Sequence, residues 1–159
     1  MLSSVKMGGS RMKGQIDRVT LDQVFSGSGT LPSAWDFLEF HEDADFMGGE
    51  VLEPVDFLRD DEKLISGTSM LERAKGFGMR AGKRHAAQLL AQIRGIPEEW
   101  SEFIHIFPGT VGINWGELAV PMLMKKDGIW KPGYGYVSQP HFYTAHYRII
   151  RVSSMGREE

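Results

Sequence analysis

The clearest hydrophobic pattern in the chain is helical and runs from Lys83 to Arg94. Its apolar residues recur at intervals of three and four positions and so form one stripe along a helix: Ala86, Leu89, Leu90 and Ile93. Gly95 and Pro97 end the helix, since glycine favours the residue after a helix and proline cannot continue one. The stripe extends backward far enough for the helix to begin directly after Gly78.

Other segments with helical spacing are shorter or carry a proline. Leu31, Ala34, Trp35 and Leu38 predict a helix opened by Thr30 and Pro32. The apolar positions between Trp115 and Met124 predict another helix, which Pro121 makes irregular. Two brief helical pieces are predicted in addition: 21–25 after a Thr20 cap, and Pro54 through Leu58.

Strands are predicted where β-branched and aromatic residues cluster between turn residues. These segments are Ile16–Val19, Val51–Leu52, Ile104–Phe107, Ile129–Val137 and Phe142–Val152, with 63–70 extended. The mixture predicts one α+β domain over residues 15–153, built as a mixed, mostly antiparallel sheet flanked by helices. Residues 1–14 are expected to be a flexible lead-in, and 154–159 a polar tail.

Composition narrows the class of protein. The 159 residues are 42% hydrophobic and 25% charged, which is typical of a soluble globular domain. The absence of cysteine excludes disulfides, thiolate metal sites and a cysteine nucleophile. No run of eighteen apolar residues occurs, so we expect no membrane contact and a cytoplasmic location.

Charge is distributed in blocks of opposite sign. Residues 31–63 carry two basic and eleven acidic groups, a net charge of −9, while 64–96 carry six basic and one acidic, a net +5. These blocks are either the solvated faces of their elements or functional surfaces. In the second case the acidic block would imitate phosphates, and the basic block would be a patch for nucleic acid or a phosphorylated ligand.

The basic block contains a motif with a possible mechanism, R-A-K-G-F-G at residues 73–78. The motif lies between the predicted extended segment and the predicted long helix. A glycine turn that enters a helix N-terminus presents backbone N–H groups and the positive end of the helix dipole, which together bind phosphate oxygens. The alternative is an ordinary turn.

The pattern Arg73-x-x-Gly76-x-Gly78 resembles the coenzyme A pyrophosphate loop of the GNAT-type N-acetyltransferases. The stretch from Asn114 to Ile129 is similar to a second motif of that family, and the order of predicted elements also looks like it. The resemblance implies a GNAT-like fold, acetyl-CoA as cofactor and a small-molecule or protein amine as acceptor. It further implies cofactor contacts from Arg73, Ala74, Lys75, Gly76, Phe77, Gly78, Met79, Arg80 and Asn114.

The catalytic groups depart from that family's pattern. Its late-helix tyrosine, which protonates the leaving thiolate, corresponds here to Leu123 or Met124. Tyr143 is the substitute acid we consider, and Glu72 is the candidate base for the amine. Each also has a structural interpretation, as a core aromatic and a helix-capping carboxylate.

Two other hypotheses follow from this departure. The chain could be a non-catalytic protein on the same scaffold, like some phage virion and accessory proteins, acting by binding a protein partner or nucleic acid. It could also be an unrelated α+β binding module in which the glycine segment is merely a turn.

The histidines do not predict a metal site. His141 and His146 diverge on either a strand or a helix, and an acidic surface loop explains His41 with Asp45 better than an ion does. His85 is expected on the helix surface. His105 is the better candidate for a buried or site-facing role, because Ile104 and Ile106 point the other way.

Overall fold

Strands dominate the computed structural model, which describes residues 18–21, 35, 37, 39–44, 49–77, 80–138 and 142–153. Of these residues 46% lie in strands and 24% in helices, 3-10 turns included. The expected GNAT-like α+β fold, a sheet flanked by helices, is therefore wrong: the described part of the chain is mostly β and holds two α-helices. The predicted lead-in and tail lie outside it.

The elements follow one another in a simple order along the chain. The strands are β1 (Val19–Thr20), β2 (Glu39–Asp43), β3 (Val51–Val55), β4 (Leu64–Ser66), β5 (Ile104–Ile106), β6 (Thr110–Asn114), β7 (Glu117–Lys126), β8 (Ile129–Tyr136), β9 (Phe142–Thr144) and β10 (Tyr147–Ser153). The helices are α1 (Gly67–Gly76) and α2 (Lys83–Ala91), followed by the 3-10 turns Ile93–Gly95 and Glu98–Glu102.

The large sheet is organised around its longest strand, β7. The path of paired strands runs β1-β3-β10-β5-β7-β6-β2, and β8 pairs with β7 along the opposite edge. Strands β5 and β10 pair in parallel, whereas the other described pairs are antiparallel. A separate two-stranded sheet joins β4 to β9.

Pro121 is tolerated inside β7 because its neighbouring strand is interrupted there. Strands β5 and β6 both pair with the same edge of β7. Strand β5 pairs with Met122 and Leu123, and β6 pairs with residues 117–119. Between them the Phe107 N–H donates to the Pro121 carbonyl at 2.9 Å, and the chain then bulges away before Thr110. A missing proline N–H costs little opposite such a break.

The two helices cover opposite sides of the sheet. Met70, Leu71 and Ala74 of α1 pack into one core with Val120 and Met122 of β7. Ala86, Ala87 and Leu89 of α2 pack into the other with Leu123 of β7. Alternate β7 side chains thus enter different cores, which explains why this strand is apolar on both faces.

Several of the predicted elements are confirmed. They are the helix beginning near Lys83, the strands at 51–52, 104–106 and 129–136, and most of the stretch from Phe142 to Val152, which a turn divides into β9 and β10. Within the part of the chain that the structure describes, no helix is long and apolar enough to cross a bilayer.

Other predictions are wrong. The helix expected between Trp115 and Met124 is a hairpin turn followed by β7. Pro54 lies within β3, opposite Ile150 of β10, and does not begin a helix. Strand β2 begins at Glu39, directly after Leu38 of the helix predicted from Pro32, and most of that predicted helix lies outside the described residues, as do 22–25.

Candidate functional site

The predicted pyrophosphate loop is the end of a helix instead of a beginning. Residues 73–76 form the last turn of α1, and the Phe77 N–H donates to the carbonyls of Arg73 and Ala74, at 3.1 and 3.2 Å. The positive dipole end of α1 is at Ser66, whose hydroxyl accepts from the Ser69 N–H at 3.1 Å. The expected junction is therefore wrong here, because a helix C-terminus presents carbonyl oxygens that repel phosphate.

The basic side chains of this segment already have partners. The Arg73 guanidinium donates to both carboxylate oxygens of Glu62, at 2.7 and 3.1 Å, and to the Phe57 carbonyl at 2.7 Å. This pairing lowers the pKa of Glu62 to about 2. The Lys75 ammonium lies 2.9 Å from Glu42. Arg80 is exposed, and Gly78 and Met79 lie outside the described residues.

The two candidate catalytic groups face different surroundings. Glu72 is exposed on α1, whereas Tyr143 is buried. The Tyr143 hydroxyl donates to the Tyr136 carbonyl at 2.6 Å. Burial raises the pKa of Tyr143, which makes it a poor proton donor. The geometry favours a structural role for Tyr143 inside the α1 core.

The true N-terminus of α2 is occupied by protein groups. The Lys83 N–H donates to the Thr110 hydroxyl at 2.8 Å, and that hydroxyl donates to Asp43 at 2.8 Å. The Gly82 N–H donates to His85 Nδ1 at 3.0 Å. Arg84 lies 3.4 Å from the same Asp43 carboxylate. Part of the acidic block thus neutralises part of the basic block, which favours the interpretation of these charges as structural.

Among the described histidines, His85 and His105 are buried. His85, expected on the helix surface, is enclosed, and its Nε2 lies 3.3 Å from a Glu50 carboxylate oxygen. Burial lowers the pKa of His85 despite that carboxylate. His105 is also enclosed, as predicted, between Trp100 and Trp130, with Nε2 2.7 Å from the Trp100 carbonyl. Burial lowers the pKa of His105 to about 4.

The residues considered for a metal site are only partly described, and those that are lie in different elements. His41 lies in β2 and His146 in the turn before β10, while Asp45 and His141 fall outside the described residues. Within the described ranges no three metal-ligating side chains converge.

The most unusual exposed residue is Trp115. Asn114, the remaining expected cofactor contact, ends β6, and Trp115 and Gly116 form the two-residue turn into β7. Their φ angles of 55° and 74° are those of a type I′ hairpin turn. Trp115 is 89% exposed, so its indole has almost no contact with the rest of the fold.

Side-chain hydrogen bonds hold the base of this turn. The Tyr136 hydroxyl donates to Asn114 Oδ1 at 2.6 Å, and the Ser138 hydroxyl donates to Glu117 Oε1 at 3.1 Å. Burial and the Glu117 carboxylate raise the pKa of Tyr136, so its phenol stays protonated and continues to donate. These two hydrogen bonds therefore hold the residues on either side of the turn from which the indole projects.

Trp115 was not predicted as a site residue, because its apolar neighbours fit a helical period. The available signal was the order Asn-Trp-Gly-Glu, in which glycine marks the second position of a tight turn.

In comparisons with known proteins, no family model matches the chain, and no curated protein or solved structure matches it either.

Proposed function

We propose that the protein is a non-catalytic binding protein that docks on a protein partner through Trp115. The observation that carries this proposal is the placement of a large apolar side chain, 89% exposed, on a turn whose flanking residues Asn114 and Glu117 are hydrogen-bonded to β8 and to Ser138. Tryptophan is among the residues that most often dominate binding energy in protein interfaces. A turn whose backbone is already ordered also loses less conformational entropy when it binds.

The second tight hairpin turn offers an internal comparison. Asp127 and Gly128 connect β7 to β8 with φ angles of 55° and 78°, nearly the same as at Trp115 and Gly116. Aspartate and asparagine suit the first position because they tolerate positive φ, whereas a bulky aromatic residue does so at a cost. The backbone of Trp115 is therefore strained, and no packing contact of its side chain in the described fold offsets that strain. Such uncompensated strain is typical of functional residues.

The surroundings favour binding over acyl transfer. Acetyl-CoA was expected because a glycine loop would present a helix N-terminus, but residues 73–76 end a helix. The candidate acid Tyr143 uses its hydroxyl inside the core. A binding role requires neither group.

The charges favour a protein partner over nucleic acid. Proteins that bind single strands combine stacking aromatics with a positive groove. Here Trp115 is followed closely by the Glu117 carboxylate. Lys75 and Arg84 of the basic block lie against Glu42 and Asp43. A phosphate near Trp115 would be repelled by the Glu117 carboxylate. A phosphate near Lys75 or Arg84 would compete with the carboxylates that already pair with these cations.

The proposal is tested by affinity capture with three matched baits. Wild type, Trp115→Asn and Ile129→Asn are immobilised and exposed to extract of the source cells, and bound proteins are quantified by mass spectrometry. Ile129 is the control, since it is 59% exposed beside the other hairpin turn. We expect a protein retained by wild type and Ile129→Asn but depleted at least tenfold with Trp115→Asn, consistent with a hot-spot loss above about 1.4 kcal/mol.

Two results would contradict the proposal. One is a set of bound proteins that is the same for all three baits. The other is a rise in melting temperature of the wild type with acetyl-CoA, because a ligand that binds the folded state stabilises it. That rise would support the acetyltransferase hypothesis instead.

A further inference from the structure

The first turn of α2 is capped by one buried imidazole, that of His85. His85 is the third residue of α2 and is 1% exposed. Its Nδ1 accepts from the N–H of Gly82, the residue before the helix, at 3.0 Å. Glutamate or glutamine usually fills this place in a capping box, and neither side chain titrates near neutral pH. With histidine at this position, the cap depends on the protonation state of the ring.

The capping bond determines which ring nitrogen of His85 carries the proton. Because Nδ1 accepts from the Gly82 N–H, the proton of the neutral ring is on Nε2. That Nε2 lies 3.3 Å from a Glu50 carboxylate oxygen. A second proton can therefore enter only at Nδ1. There it would point at the Gly82 N–H, so that two donors would face each other and the capping bond would be lost.

Gly82 has no room to move away from such a proton. A methyl group on Gly82 would overlap the Thr110 hydroxyl. The Lys83 N–H donates to that hydroxyl at 2.8 Å, and the Gly109 N–H donates to the Ala81 carbonyl at 2.7 Å. The chain entering α2 thus lies directly against residues 109–110. Relief of the repulsion requires that the first turn of α2 separate from this 109–110 segment.

The surroundings of the ring keep it neutral while the junction is closed. Burial lowers the pKa of His85, and the Glu50 carboxylate, just before β3, opposes that effect only in part. Arg80 before α2 and Arg84 within it act in the same direction as burial. The positive end of the α2 dipole does so too, because His85 lies in the first turn. In an opened junction, the ring would take up a proton near pH 6.5.

We propose that His85 is a pH-dependent latch: uptake of a proton at Nδ1 releases the first turn of α2 from the 109–110 segment while the sheet stays folded. This inference is independent of the proposed function and does not involve Trp115. The later part of α2 is held differently, because Leu89 packs into the apolar core. Opening can therefore be confined to the polar end of the helix, where it would expose the buried Ala81 and His85.

Amide hydrogen exchange, measured by NMR on the full chain, tests the latch. The Gly82 and Lys83 amides report on the two bonds that hold the first turn, and the Phe107 amide, bonded to β7, reports on global unfolding. Rates are corrected for the intrinsic effect of pH and expressed as protection factors. In the wild type we expect the protection of Gly82 and Lys83 to fall at least tenfold between pH 7 and pH 5 and to stay below that of Phe107, because an open-state histidine with a pKa of about 6.5 is almost fully protonated at pH 5.

His85→Gln is the matched variant. A glutamine amide can accept from the Gly82 N–H and donate toward Glu50, but it takes up no proton. We expect the two amides of the first turn to lose less than about twofold protection over the same range of pH. The variant keeps Asp43 and Glu50, so a pH effect from either carboxylate would persist in it. His105→Gln should retain the tenfold loss, since local opening of α2 leaves His105 enclosed.

The ring itself provides a test that needs no variant. A long-range ¹H–¹⁵N spectrum of the wild type at pH 7 should show the His85 proton on Nε2, and a proton on Nδ1 would overturn the proposal. So would wild-type protection of Gly82 and Lys83 that does not change with pH, or a tenfold loss that persists in His85→Gln or disappears in His105→Gln. Protection equal to that of Phe107 at every pH would also overturn it, because the junction would then open only when the whole fold unfolds.

Discussion

Trp115 occupies a backbone conformation that tryptophan does not favour. Its φ of 55° is in the left-handed region, where a side chain with a Cβ is crowded by its own backbone. Asparagine adopts this region more easily, and Trp115 has almost no packing to lose because it is 89% exposed. The same substitution that removes the contact residue should therefore relieve strain in the fold.

We expect Trp115→Asn to raise the free energy of unfolding by about 0.5–1 kcal/mol. Urea denaturation monitored by far-UV circular dichroism measures this change. Asp127→Trp, which places tryptophan at the equivalent position of the other turn, should lower stability by a similar amount. If Trp115→Asn proved destabilising, the indole would be supporting the fold, and the functional interpretation of its strain would be wrong.

Helix α1 illustrates how an element can be read in the wrong direction. Its last turn carries Arg73 and Lys75 and ends near Gly76, the composition that favours a helix C-terminus. The same letters also fit a phosphate loop at the start of the following helix. The tertiary contacts of Ser66 and Arg73 distinguish the two, because Ser66 caps the start of α1 and Arg73 ties the 57–62 segment to its end.

The two glycines at the ends of α1 should respond oppositely to alanine. A methyl group on Gly67 would overlap the Val137 carbonyl oxygen, whereas one on Gly76 meets nothing within 4 Å. We expect Gly67→Ala to lower the free energy of unfolding by about 2 kcal/mol or more and Gly76→Ala to raise it by about 0.5–1 kcal/mol. If both variants changed the free energy of unfolding equally in urea denaturation, the close contact between α1 and Val137 would be contradicted.

At the scale of the molecule, the described core encloses His85 and His105 as neutral side chains, and this links stability to pH. Burial lowers the pKa of both His85 and His105, the latter to about 4. An unfolded histidine takes up a proton near pH 6.5, so between about 6.5 and 4 the unfolded chain binds more protons than the folded one. Stability from this source is complete above about pH 6.5 and is lost as the pH falls.

His105 should contribute about 2–3 kcal/mol to the difference in unfolding free energy between pH 7 and pH 4. Urea denaturation across this range measures it in wild type, His105→Gln and His146→Gln. We expect His105→Gln to be less stable at pH 7 but to have a flatter pH dependence. His146 is exposed, so its variant should follow the wild-type curve. An unchanged slope in His105→Gln would contradict the neutral buried imidazole.

Local sequence was sufficient for several elements that meet the core with one face. The α2 stripe and the strands β3 and β8 were predictable for that reason, because periodicity records which side is buried. Strand β7 was not, since both its faces are buried and a continuous apolar run fits helix and strand equally. Pro121 strengthened the error, because its place opposite the gap between β5 and β6 depends on strands distant in the chain.

The candidate site depended even more on long-range arrangement. Around the Trp115 hairpin, Phe40 and Tyr136 come from segments almost a hundred positions apart, and pairing through Gly112 and Ala119 brings them to one face of the sheet. No local pattern encodes that adjacency, since strand register is set by the balance of burial over the entire sheet. The exposure of Trp115 is likewise a tertiary property. It results from the tight turn at Trp115 and Gly116, which directs the indole away from the rest of the fold.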